Sequence, residues 1–177
     1  MKKILLVIGC IQLVCLLSVW PSTARAQGGF EAVTGDAFDR AVPADFYLEG
    51  NHIPVEKRNS AVLKNAKGAR IVLGLIDTTG YSSQIQQKYM GMLITETRIS
   101  VCGNPIGVGS YGLGMERPAA TSNADATFRI YNQAGEKVGG CAAKKDGSTG
   151  QPKPLAVTAA KGEPAEVSFG KYVVEIK

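Results

Sequence analysis

Apolar residues in this chain fall into short runs and short alternations, and hardly anywhere at helical spacing. The C-terminal segment shows the cleanest pattern: Tyr172, Val174 and Ile176 lie on one side, and Lys171, Glu175 and Lys177 on the other. Period two is the signature of a half-buried strand. "LAVTA" and "AEVSF" just before it read the same way, and "TFRIY" puts Phe128 and Ile130 on one face. Arg70 to Asp77, "RIVLGLID", is instead an unbroken aliphatic run of strand length, which predicts a central strand buried on both faces. "MGMLITE" is a second such run. Ile99 and Val101 alternate with polar neighbours, and Tyr111, Leu113 and Met115 alternate with Gly112 and Gly114. Phe46-Tyr47-Leu48 is a short strand ended by Gly50-Asn51. Ile53 to Leu63 is mixed, with a strand expected only at Ala61-Val62-Leu63. The best helix is Ser82 to Tyr89, "SSQIQQKY", with Ser82 or Ser83 as its cap.

Turn signals separate these pieces every ten or so residues. Asn65-Ala66-Lys67-Gly68 is a turn, and Asn132 to Lys137 is a hairpin loop with Gly135 where a positive φ is needed. Lys144 to Pro154 is a charged Gly/Pro loop. The expectation is an all-β chain, a single β-sandwich or open barrel of about eight or nine short strands with one short helix at most. Residues 27–45 show no sustained periodicity and read as an arm or loops ahead of a β domain over residues 46–177.

The N-terminus bears on compartment. Lys2 and Lys3 precede an uncharged run from Ile4 to Trp20, and Ala24-Arg25-Ala26 closes the segment. This is the layout of a bacterial secretory signal peptide over residues 1–26, cleaved before Gln27. Val7-Ile8-Gly9-Cys10 has the form of a lipidation site, but the apolar stretch before Cys10 is only about six residues long, so simple cleavage ranks above it. Export carries Lys2, Lys3 and Arg25 away and no acid, which lowers the net charge from +5 to +2. The remaining cations are scattered rather than gathered in a stripe, which argues against a nucleic-acid partner. After cleavage no run is long enough to cross a membrane as a helix. Of four cysteines only Cys102 and Cys141 remain, and in an oxidising compartment a disulfide between them is the default.

Gly107-Val108-Gly109-Ser110-Tyr111-Gly112 is a literal GxGxxG. A dinucleotide loop needs a strand before the glycines and a helix after them. Here Asn104-Pro105 comes before and the strand-like "YGLGM" after, so no cofactor is expected. The glycines read instead as bends joining two antiparallel strands, at Gly103-Asn104-Pro105 and Gly107-Val108-Gly109. "PIGVGSYGLG" resembles a hairpin that recurs in many extracellular bacterial β-sandwich domains, a likeness of about ten residues that implies a fold and no activity.

Catalytic candidates are few. "GLIDTTG" is similar to the apolar strand ending in Asp-Thr-Gly of aspartic proteases, and a single copy in a small chain would imply a homodimer that pairs two carboxylates across its interface. Asp77 would be that carboxylate, but the extra threonine in Asp77-Thr78-Thr79-Gly80 displaces the glycine. His52 is the only histidine and hence the only imidazole base available to a nucleophile. Two cysteines and one histidine do not make a zinc site. The polar insertion between the two apolar runs is the candidate ligand contact, through Tyr81, Gln84, Gln87 and Tyr89. The expected function is therefore a non-catalytic binding or structural module of the bacterial cell envelope, secreted or periplasmic. Its partner would be an envelope protein, a glycan or a small ligand. The alternative is a small secreted hydrolase using Asp77 or His52.

Overall fold

A computed structural model describes residues 29–119, 125–147, 150–160 and 163–177. The expected signal peptide and Cys10 lie outside these residues. The described chain is all-β, a single antiparallel sheet that curls into an open half-barrel. Thirteen strands are present: β1 (Phe30–Val33), β2 (Asp45–Leu48), β3 (Asn51–Asn65), β4 (Arg70–Ile76), β5 (Gly91–Thr95), β6 (Ile99–Val101), β7 (Asn104–Ile106), β8 (Gly109–Glu116), β9 (Ala126–Tyr131), β10 (Lys137–Lys145), β11 (Ala156–Thr158), β12 (Ala165–Phe169) and β13 (Tyr172–Ile176). Two short helices interrupt them, α1 (Asp36–Ala41) and α2 (Ser83–Lys88). The main order is β1-β3-β4-β5-β8-β9-β10-β13-β12-β11, with β2 on β3, and β6–β7 beside β13.

The strand and helix counts exceed those expected from pattern, for local reasons. The lead before residue 46 contains β1 and α1, each too short to show a period. β1 is held by pairing with β3, from Phe30 opposite Asn65 to Val33 opposite Val62. β3 is one long strand rather than a fragment at its end. Its register against β4 jumps from Glu56 opposite Leu75 to Ser60 opposite Gly74, so residues 57–59 form a bulge. The bulge breaks the alternation that would otherwise announce the strand. Within it Asn59 Nδ2 donates to Glu56 Oε2 at 2.6 Å and Ser60 Oγ to the Glu56 carbonyl at 3.0 Å.

Two apolar clusters lie on the two faces of the sheet. The inner one fills the curl, running from Phe30 of β1 to Val157 of β11, and within it Phe128 of β9 stacks on Phe169 of β12 with ring centroids 5.6 Å apart. The outer one gathers Phe46, Leu48, Ile53, Val62, Val72, Ile76, Ile85, Tyr89 and Met92 beneath β2 and α2. β4 serves both, with Ile71 and Leu73 inward and Val72 and Ile76 outward. That double burial is why its sequence carries no alternation.

Cys102 and Cys141 are disulfide-bonded, with Cα atoms 6.1 Å apart. The bond ties the β6–β7 corner to β10. Asn104 reinforces it, donating Nδ2 to the carbonyls of Val101, Cys102 and Gly140. β6 and β7 form an antiparallel hairpin, but its turn is Cys102-Gly103, both at positive φ, and Asn104 and Pro105 lie in β7 rather than in the bend. Gly107–Gly109 is not a second hairpin turn: it carries the chain from the β6–β7 corner across to β8, which pairs with β5 and β9.

Candidate functional site

The glycines of β8 explain how the site is built. Gly112 and Gly114 face outward, opposite Tyr131 and Arg129 of β9. A Cβ on Gly112 would sit 2.7 Å from the Tyr89 ring, and one on Gly114 would run into the Lys88 carbonyl oxygen. Their bare backbone lets the end of α2 lie flat on the sheet. α2 starts at Ser82, whose Oγ accepts from the Ile85 N–H at 3.3 Å, and ends where Tyr89 turns extended. Ile85 and Tyr89 are buried, while Ser83, Gln84 and Gln87 stay at the surface.

Lys88 and Tyr89 converge on Glu49, at the tip between β2 and β3. Lys88 Nζ forms a close ion pair with Glu49 Oε1 and also donates to the Gly135 carbonyl at 2.7 Å. Tyr89 Oη donates to the same Glu49 oxygen at 2.6 Å. Tyr131 packs edge-on against Tyr89 at 5.3 Å, with Lys88 Nζ 4.9 Å above its ring. The Lys88 and Tyr89 hydrogen bonds hold the Glu49 carboxyl below its ordinary range. Burial, then the Glu49 carboxylate, pushes the Tyr89 phenol well above its ordinary range. Glu49 itself is in left-handed backbone at φ 49° and is pinned by its N–H bond to the Gln133 carbonyl at 2.9 Å. The β2–β3 tip, the end of α2 and the β9–β10 loop are thereby locked together.

Beside this lock lies an open groove of about 380 Å³. One wall is α2, with Ser83, Gln84, Gln87 and Lys88, and the other is Met115 and Glu116 of β8 with Arg129 and Tyr131 of β9. Arg129 is paired with Glu116 at 2.6 Å, which raises its pKa further, and its Nε has no hydrogen-bond partner among the described residues. No internal hydrogen bond engages the side chains of Ser83, Gln84 or Gln87 within the described chain. A second cavity of about 420 Å³ opens at the seam of the half-barrel, between Ala32–Gly35 and Phe38, Ser60–Leu63 of β3, and Lys153 with Leu155–Val157.

Of the four residues expected to touch a ligand, Gln84 and Gln87 line the groove. Tyr89 is buried beneath it, and Tyr81 sends its hydroxyl to the His52 carbonyl. The opposite wall was not visible in the sequence. Met115, Glu116, Arg129 and Tyr131 reach the site only through the β8–β9 pairing, and nothing local marks which strand face looks outward.

The catalytic candidates have other engagements. Asp77 Oδ1 accepts from the Thr79 N–H at 2.9 Å. The Thr79 side chain, then its backbone, lowers the Asp77 pKa, whereas a carboxylate sharing a proton in a dyad is raised. His52 is half exposed, 3.7 Å from Asp45 and edge-on to Tyr47. No hydroxyl or thiol among the described residues is hydrogen-bonded to its ring, and both described cysteines are in the disulfide. No three His, Cys, Asp or Glu side chains gather as metal ligands among the described residues. No described helix is long and apolar enough to cross a membrane. Comparison with protein-family models, curated proteins and solved structures finds no match to this chain.

Proposed function

We propose that this protein is an exported module of a bacterial cell envelope that acts by binding, without catalysis, and that the α2/β8–β9 groove is where it binds. The carrying observation is the contrast within the groove. Its ionic groups are matched pairwise, Lys88 to Glu49 and Arg129 to Glu116, while its amides and hydroxyl are uncommitted. A groove with matched charges and free hydrogen-bonding groups is suited to recognition. General acid–base chemistry calls for the opposite, ionisable groups held ready for a substrate. The Glu49 lock supports the reading by making the groove rigid, which lowers the cost of ordering it on binding. The disulfide supports export.

The test is co-sedimentation of the purified exported protein with washed envelope material. Wild type pellets with the envelope, and the Gln84→Ala/Gln87→Ala double variant stays in the supernatant while keeping the wild-type unfolding midpoint. Equal sedimentation of both forms would reject the groove as the binding site.

A further inference from the structure

We infer that the groove between α2 and β8–β9 takes an uncharged saccharide. This rests on reading the groove as a binding site and adds the chemical class of what fills it.

The charge pattern limits the ligand first. Lys88 is held by Glu49 and the Gly135 carbonyl, and Arg129 by Glu116. A phosphate or carboxylate would have to share these cations with Glu49 and Glu116. A cationic ligand fares no better, since Glu116 is already the partner of Arg129. What the groove offers freely is the Gln84 amide, the Gln87 amide and the Ser83 hydroxyl. Each both donates and accepts. Sugar hydroxyls do the same, so a pyranose can satisfy all three groups and be satisfied by them.

The floor of the groove excludes one competitor, a peptide that adds as a strand. An extended peptide binds a sheet by adding to an unpaired edge. β8 lies between β5 and β9, and β9 between β8 and β10, so their backbone groups are consumed by the ladder. A peptide would have to be held by side chains alone, in a groove whose main apolar side chain among the described residues is Tyr131, since Met115 packs toward the inner cluster. The Tyr131 ring, which carries Lys88 Nζ over one face, supplies the contact for the weakly apolar C–H face of a sugar ring. At about 380 Å³ the groove is at the small end of ligand clefts and suits a short saccharide stretch.

The experiment is an NMR titration of the ¹⁵N-labelled exported protein, followed at the side-chain amides of Gln84 and Gln87. The probes are uncharged malto-, cello- and chito-oligosaccharides, an oligogalacturonate as the anionic control and a soluble glycine-serine peptide. At least one uncharged series is expected to shift both amide pairs at up to millimolar concentration. Its affinity should be unchanged by added salt, as for any ligand held without net charge. The Gln84→Ala/Gln87→Ala variant should bind at least tenfold more weakly with its remaining spectrum intact. Groove signals that move only with the oligogalacturonate or only with the peptide would overturn the saccharide inference and leave the groove a binding site. No movement with any probe would overturn it too, and groove-dependent sedimentation would then decide separately whether the binding reading survives. Shifts confined to residues away from the groove would overturn it as well, with the same sedimentation deciding on the binding reading.

Discussion

Replacing Gly112 with alanine separates the packing account from simple strand propensity. Gly112 is mid-strand with ordinary strand φ, so on propensity alone alanine should stabilise by about 0.5–1 kcal/mol. The structure predicts the opposite sign. The new methyl would lie 2.7 and 2.8 Å from two carbons of the Tyr89 ring and 2.9 Å from Leu48 Cδ2. Carbon atoms prefer 3.5–4.0 Å, so the ring would have to retreat by about 1 Å. It has little room. Tyr89 is only 3% exposed, is edge-on to Tyr131, and holds Glu49 through a 2.6 Å hydrogen bond. Overpacking of this kind costs about 1–3 kcal/mol, and weakening the Tyr89–Glu49 bond adds about 1 kcal/mol. Net of propensity, a loss of about 2 kcal/mol is expected. With a urea m-value of about 2 kcal/mol per M, the midpoint should fall by about 1 M. Gly147→Ala is the control, because nothing lies within 4 Å of its Cβ position and its φ is not positive. It should leave the midpoint unchanged or slightly raised. A Gly112→Ala midpoint equal to or above wild type would refute the reasoning.

Three further outcomes are expected. The folded pKa of Glu49 lies below its unfolded value, so its contribution to stability is complete above that unfolded value, near 4.5, and drains as pH falls through the folded one. Urea midpoints measured from neutral to acid pH should therefore fall less steeply below about pH 4.5 in Glu49→Gln than in wild type. Replacing Cys102 and Cys141 together with alanine should destabilise by about 4 kcal/mol at most, from a loop spanning a separation of 39 residues, and thiol labelling of the folded wild type should find neither cysteine free. Asp77→Asn should cause a small loss of stability through its weakened bond to Thr79, and neither it nor wild type should cleave peptides from acid to neutral pH. Wild-type turnover abolished by Asp77→Asn would make the hydrolase the leading reading.

The parts of the fold that were legible in the sequence are those where one strand's burial is self-evident. β4 announces itself because both faces are covered, and β13 because one face is strictly apolar. β3 hides behind its three-residue bulge, and β1 and α1 are too short for any period to show. The glycines of β8 were readable as something other than a cofactor loop. Their actual purpose, making space for Lys88 and Tyr89, depends on a crossing that no local pattern encodes. The site divides the same way. Gln84 and Gln87 stand out as a polar insertion between apolar runs, whereas Glu49 meets Lys88 across 39 positions and Arg129 meets Glu116 only through strand pairing.

The central claim is that this protein binds the envelope through the α2/β8–β9 groove. Hydrogen–deuterium exchange of the protein, with and without washed envelope material, tests it most directly. Protection should appear in α2 and its flanks, residues 82–89, and in the facing ends of β8 and β9, residues 113–116 and 127–131. Unchanged exchange there, or protection confined to the seam around Ala32–Phe38 and Leu155–Val157, would contradict the account.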